Sequence, residues 1–347
     1  MKVFEASDVV GGVLALGIPS YRIPKDALAR DIEYIRRAGV EMETDHRVES
    51  VQDLRDAGFD AIFVAVGAHK DMRLGIPGED MDGVHHALTF LRQVAQNKIT
   101  GLHGPVAVIG AGNAAIDSAR TALRLGASSV TVLYRRTEAE MPAIREEIEE
   151  ALLEGVDFHY LVAPVEIEGD GHVERVRCAE MELGEADESG RRRPVPKPGA
   201  EMAIEAEHVI IAIGEAPDVE CAACANMVAL AGTGIAGDVA SRCCDEKGVF
   251  VGGDAATGPG TIIEAIAAGQ RAAQAIDIYL GGKGELPLDE GFAGRSKPTE
   301  EEADIPRHPV RALPAAKRRG GFDEVLKGYS ARTAQAEARR CLRCDLE

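Results

Sequence analysis

No stretch of this 347-residue chain approaches the ~18 consecutive apolar residues of a membrane span, and its first residues lack the apolar core of a signal peptide. Both absences argue against membrane insertion and secretion, so the expectation is a soluble, cytoplasmic protein. Basic residues are also scarce: 39 Lys and Arg face 58 Asp and Glu, for a formal net charge of -19. The deficit is uneven, since from Gly291 onward 12 basic residues face 9 acidic ones. An acidic body repels phosphate backbones and anionic lipid alike, which argues against nucleic acid and membrane surfaces as partners. A disulfide framework is disfavoured too, because seven cysteines is an odd number in a long chain without a secretory signal. They read as reduced thiols or metal ligands. What the chain does have is 45% hydrophobic content over a length too great for one ordinary domain. Two domains and an appendage are expected.

The most informative segment runs from Val106 to Ala115, a buried strand that breaks into a glycine turn and then a helix, followed by a second strand from Val130 to Arg136. This is the pattern of a dinucleotide-binding βαβ unit. Gly110 permits the tight turn, Gly112 lets the backbone approach a pyrophosphate, and Asn113 and Ala114 open the helix whose N-terminus would hold the phosphates. Ala115 takes the place of the third glycine, where helix meets strand. An NAD site places a carboxylate at the end of the second strand, roughly 20 residues on. Here Arg135 and Arg136 stand there, and guanidinium forks suit a 2′-phosphate, so NADP(H) is the expected cofactor.

A second nucleotide-binding pattern surrounds the first. A short strand from Met1 ends in Glu5, placed as a ribose-binding acid; Gly11 and Gly12 follow, and apolar Leu28, Ile32 and Ile35 predict an amphipathic helix over about Lys25 to Ala38. Two buried strands end in Gly67 and Gly214, each letting the chain pass close to a nucleotide and cross between domains. A third delivers Gly253 and Asp254, and a small-residue helix begins at Thr261 and Ile262. Asp254 can accept hydrogen bonds from a ribityl hydroxyl, and the helix N-terminus offers partial positive charge to the N1/O2 edge of a reduced flavin.

In order, Glu5, Gly11, Gly12, GIPSYRIPK, FVAVGAH, LGIPGED, VIGAGNAAID, LYRRTEAEMPA, AIGEAPD and GGDAATGPGTIIEAIAAGQRAA resemble the small subunit of glutamate synthase and its relatives. These are flavin-dependent NAD(P)H oxidoreductases of the pyridine nucleotide-disulfide reductase fold. The resemblance covers about residues 1 to 285. It implies an α/β protein with two Rossmann-like nucleotide-binding domains: a FAD domain in two parts, 1–99 and 214–285, with an NAD(P)H domain, 100–213, inserted between them, and a tail over 286–347. It also implies FAD on Glu5, Gly11, Gly12, Gly253, Asp254, Thr261 and Ile262, with Arg135 and Arg136 meeting the 2′-phosphate. NADPH would pass a hydride to FAD, and electrons would leave singly to iron-sulfur centres of a partner, either a large catalytic subunit or ferredoxin. The family's cysteine-rich N-terminal domain and its first FAD strand with GxGxxG are not found before Met1, so the FAD domain is expected to be incomplete at its N-terminus. The expectation is a piece of a longer polypeptide, or a fold completed by a neighbouring subunit.

The remaining features have simpler readings. Cys221, Cys224, Cys243 and Cys244 read as ordinary thiols, His85 and His86 as a solvated helix start, and Glu146 to Glu154 as the exposed face of a helix. Residues 184–200 are expected to form a mobile hairpin or loop, and the tail from about Gly282 to Pro314 to run extended over a surface. Ser330 is expected to cap a helix through Arg340 that presents Cys341 and Cys344, whose spacing suits one side of a [4Fe-4S] cluster with its other ligands elsewhere. Two alternatives come from other classes. One is a non-catalytic nucleotide-binding scaffold with a degenerate FAD site, and the other a disulfide reductase using Cys221 and Cys224.

Overall fold

The computed structural model describes all residues except 187–189, 219–228, 231–233, 236–246, 286–304 and 341–347. The first elements are β1 (Lys2–Phe4), α1 (Gly12–Leu16), α2 (Lys25–Arg37), β2 (Glu41–Glu43), α3 (Val51–Asp56), β3 (Ile62–Val64) and β4 (Lys70–Asp71). The middle of the chain forms β5 (Val84–His86), α4 (Ala87–Ala95), β6 (Pro105–Ile109), α5 (Asn113–Arg124), β7 (Ser129–Tyr134), α6 (Arg145–Glu154), β8 (Asp157–Tyr160), β9 (Val162–Glu168), β10 (Arg175–Ala186), β11 (Arg192–Glu205) and β12 (His208–Ile211). Then come β13 (Glu215–Ala216), β14 (Val249–Val251), α7 (Asp254–Thr257), α8 (Ile262–Tyr279), α9 (Ala315–Arg318) and α10 (Ala331–Arg339).

A five-stranded sheet in the order β5-β12-β6-β7-β8, parallel throughout, carries the glycine turn. Its central strands β6 and β12 are almost wholly apolar because both faces are covered. Val106, Val108, Val130, Val132 and Ile210 face α4 and α5, where Phe90, Ile116 and Ala119 meet them. On the other face, Ala107, Ile109, Leu133 and Ile211 pack against Val162, Ile167 and Val176 of the antiparallel sheet β11-β10-β9. In that second sheet β10 and β11 pair antiparallel as far as Ala186 and Arg192, within the stretch 184–200 where the sequence predicts a hairpin or loop. The chain leaves β6 through α5 toward β7, while β12 lies on the opposite side of β6. This reversal makes a topological switch point at the carboxyl ends of β6 and β12, where open α/β sheets bind their ligands. The flanking segments form two parallel pairs, β1-β2 and β3-β14, and an antiparallel pair, β4-β13.

The acidic helix differs from expectation. In α6, Glu154 is fully buried, and its carboxylate accepts from Arg120 Nη2 at 2.8 Å and Arg124 Nη2 at 2.9 Å, both on α5. The Arg124 guanidinium lies 3.8 Å from the centroid of the buried Tyr21 ring, and Arg22 bonds Asp117 at 2.7 Å and Glu147 at 3.2 Å. Acids at helical spacing look solvated in sequence, but here a second helix supplies cations from inside. Burial alone would raise the Glu154 carboxyl; hydrogen bonds from Arg124 and Arg120 outweigh it and hold it below the usual carboxylate range. The tail returns to this cluster. Arg318 pairs with Glu150, Val325 N donates to Tyr21 O at 2.9 Å, and the Phe322 ring lies 6.3 Å from that of Tyr21. Ser330 caps α10 by accepting from Thr333 N at 3.2 Å. Of His85 and His86, expected as a solvated helix start, His86 is the N-cap of α4 but half-buried, and both belong to β5. His85 lies on β5, half-buried, with its ring 5.7 Å from those of Phe90 and His208, and burial followed by His208 pushes its pKa down to about 4.

Candidate functional site

The nucleotide-facing end of β6 is shaped by close backbone approach. Gly110 has φ +126°, and a Cβ there would lie 2.1 Å from Ala212 O at the end of β12, so only glycine fits. Gly112 has nothing within 4 Å of where its Cβ would be, which leaves open space in front of the turn. No side chain caps the first turn of α5, so its N-H groups face that space with the positive end of the helix dipole. Ala115 is completely buried against the sheet, and Asn113 is exposed with its Oδ1 accepting from Ile144 N at 3.0 Å. Ala114 lies between them, half-buried. The segment after β7 is thereby tied back to the turn, also through Ala143 N to Ala111 O at 3.2 Å. These residues fit a dinucleotide pyrophosphate: a glycine turn drawn close to β12, open space in front of Gly112, and an uncapped helix terminus behind it.

The arginine pair divides. Arg135 is exposed, whereas Arg136 is buried and its Nε donates to Arg192 O on β11 at 2.7 Å. Arg192 in turn meets Glu140, which closes a capping box with Thr137 just past β7. The Thr137 hydroxyl, against burial and with help from Arg192, holds the Glu140 carboxyl below its usual range.

A second cluster gathers residues from distant parts of the chain. Gly12 (φ +52°) opens α1 and Gly67 (φ +70°) follows β3, and the nearest group to a Cβ at either is the His69 ring, with Nε2 3.6 Å and 3.3 Å away. Gly11 precedes them with φ +121°. His69 Nδ1 is 3.1 Å from Arg92 Nη2; a guanidinium can only donate, so Nδ1 accepts and the ring proton sits on Nε2. Burial and then Arg92 lower the His69 pKa, while Glu5, Asp254 and Asp218 act on it from the other side. Glu5 accepts from Ser7 N at 2.8 Å and Ser7 Oγ at 2.7 Å. Asp254 opens α7 after Gly253 (φ +62°); its Oδ1 accepts from Gly260 N at 3.1 Å, and burial raises its carboxyl against that bond. Asp254 thus acts as a turn residue, with its charge still felt at His69. Thr261 caps α8 with Glu264, and Ile262 begins that helix partly exposed.

The two crossing points meet. Gly214 has φ +126°, Met72 N donates to Gly214 O at 3.0 Å, and β4 pairs with β13 through Asp71 and Glu215. Asp71 also caps α4, accepting from Leu88 N and Thr89 N. Sequence reasoning missed His69, Arg92, Asp71 and Arg192. Only His69 carried a local signal, two residues beyond a strand-ending glycine. Among the described residues no His, Cys, Asp or Glu group could hold a metal, and no helix is long and apolar enough to cross a membrane. The expected cluster ligands Cys341 and Cys344 lie outside the described residues, as do Cys221, Cys224, Cys243 and Cys244. Cys178 is buried, which pushes its thiol up to about 11.

Known proteins share this arrangement. The chain is 42% identical over 99% of its length to the NADP(+)-dependent formate dehydrogenase subunit beta of Moorella thermoacetica, spanning 51% of that protein. It is 34% identical over 80% of its length to the glutamate synthase [NADPH] small chain of Escherichia coli (strain K12), spanning 63% of it. The fold matches Mycobacterium tuberculosis FprA in complex with NADPH with a TM-score of 0.67 at 20% identity, over 81% of this chain and 77% of that one. Residues 7–269 match the model of the pyridine nucleotide-disulphide oxidoreductase family, and the chain belongs to that family.

Proposed function

We propose that this chain is the FAD- and NADP(H)-binding part of an electron-transfer oxidoreductase, taking electrons from NADPH and passing them to iron-sulfur centres of a partner. The observation that carries the reading is the open glycine cradle at Gly110 and Gly112, with Arg135 and Arg136 at the end of the adjacent strand in place of a carboxylate. The turn, with Asn113, Ala114 and Ala115, holds the NADPH pyrophosphate. Glu5, Gly11, Gly12, Gly253, Asp254, Thr261 and Ile262 hold FAD, assigned to residues 1–99 and 214–285, and Gly67 and Gly214 let the chain pass close to a nucleotide as it crosses between the two domains. NADP(H) is assigned to 100–213, whose sheet also draws on β5 and α4, and residues 286–347 form the tail. When bound, the cofactors supply the redox chemistry, a hydride from the nicotinamide and single electrons from the flavin. The chain's residues bind, orient and exclude water, and the hydride half-reaction needs no protein acid or base.

Relatives named as subunits support a complex partner, a large or iron-sulfur subunit or ferredoxin, and we assign Cys341 and Cys344 as ligands of a [4Fe-4S] cluster shared with other cysteines. We place the assembly in the cytoplasm. The test is an anaerobic titration of the purified native protein. Visible flavin bands should be present and should bleach with NADPH much more readily than with NADH. No flavin uptake at saturating FAD would favour a nucleotide-binding scaffold instead.

A further inference from the structure

We propose that Arg192, carried on the β10-β11 hairpin, is a third arginine of the 2′-phosphate site and a specificity-determining residue for NADP(H) over NAD(H). This rests on the reading above, that the end of β7 receives the 2′-phosphate. Arg192 comes from another sheet, yet three contacts fix it at that spot. Its backbone carbonyl accepts from Arg136 Nε at 2.7 Å, and its Nε and Nη2 both reach Glu140 Oε1, at 2.7 and 2.5 Å. Glu140 is held in turn, its Oε2 accepting from Thr137 N at 3.1 Å and its carbonyl from Tyr134 Oη at 2.7 Å.

The chemistry follows from who neutralises whom. Glu140 is a carboxylate just beyond β7, where an unpaired negative charge would repel a 2′-phosphate and favour a ribose hydroxyl. Arg192 cancels that charge and stays half-exposed, 52% at its side chain, with Nη1 uncommitted among the described residues. A guanidinium carries five N-H donors, so one side can pair with a carboxylate while the other meets an anion. Arg136 is buried beneath the hairpin and Arg135 is exposed just past the end of β7. The phosphate is therefore met from two elements, and folding the hairpin onto the sheet assembles its site.

The test uses calorimetric titration of the purified protein with 2′,5′-ADP and 5′-AMP, which differ by the 2′-phosphate and need no flavin. Arg192→Ala should weaken 2′,5′-ADP binding about tenfold, as expected for one charge-assisted contact, and leave 5′-AMP within about twofold. Arg192→Lys should recover part of the loss, and Arg192→Gln, which keeps a hydrogen bond to Glu140, should flatten the salt dependence of 2′,5′-ADP binding. Equal weakening of both ligands by Arg192→Ala, or an unchanged ratio, would overturn the proposal and leave Arg192 a hairpin anchor. The doubly substituted Arg135→Ala, Arg136→Ala protein separates the two levels. If it keeps the parent's selectivity, the reading of the β7 end fails; if it loses selectivity while Arg192→Ala keeps it, only the role of Arg192 fails.

Discussion

Removing the Glu154 carboxylate should destabilise the protein by about 3 kcal/mol. Its side chain is fully buried, as is that of Arg124, and Arg120 is 2% exposed, so Glu154→Ala strands two guanidiniums away from water. Breaking a buried ion pair from one side costs about 3–5 kcal/mol. The lower figure applies here, because Arg120 keeps Glu147 and Arg124 keeps the Arg120 carbonyl at 2.9 Å and the face of Tyr21. At about 2–4 °C per kcal/mol for a domain of this size, the melting temperature should fall by about 6–12 °C. Urea unfolding, read as a midpoint shift at constant slope, measures the same quantity. Replacing Arg120, Arg124 and Glu154 together with apolar residues of similar volume should recover most of the loss, since the desolvation cost of all three charges disappears with them. A loss below about 1 kcal/mol for Glu154→Ala would refute the claim that this cluster holds α5, α6 and the Tyr21 loop together.

The same cluster should give stability a pH dependence of opposite signs. Glu154 is held low, so its contribution is present above the ordinary carboxylate range and is lost as pH falls through its folded value; Asp117, pushed up to about 6 by burial against the pull of Arg22, favours the fold below about pH 4 and loses that contribution as pH rises through 6. In Asp117→Asn the decline between about pH 4 and 6, of order 2–3 kcal/mol, should vanish; chemical unfolding across that range checks it, and an unchanged slope counts against the assignment. Gly110→Ala should cost at least ~3 kcal/mol and abolish retention on a 2′,5′-ADP resin, because its Cβ would lie 2.1 Å from Ala212 O; retention at the parent's level would show that the turn can shift. Cys341→Ser or Cys344→Ser in the complete complex should remove iron and slow electron exit while leaving flavin reduction by NADPH nearly intact. Unchanged iron content would return both to ordinary thiols.

The local elements of this protein are legible in its sequence because short-range physics specifies them. The strand, glycine turn and helix at 105–124 follow from an apolar run, a φ that only glycine reaches and small residues at the helix-sheet contact; α2 lies at Lys25–Arg37 as its spacing predicts, and Ser330 caps α10. The strands before Gly67 and Gly214 are legible too, although they stop at Val64 and Ile211 and β3 is buried on only one face. What only the tertiary structure decided is which charges are inside. Arg120 and Arg124 on α5, and Glu147, Glu150 and Glu154 on α6, each repeat at helical spacing like any solvated face, and nothing local distinguishes water from a facing helix of opposite charge. Arg136 reads as one of two equivalent arginines, yet the hairpin buries it and leaves Arg135 exposed. Arg192 joins that site from another sheet, and His69 joins Glu5 and Asp254 through crossings between the halves of the chain. Such meetings depend on sheet order and crossover, properties of the assembled backbone that no short stretch of sequence contains.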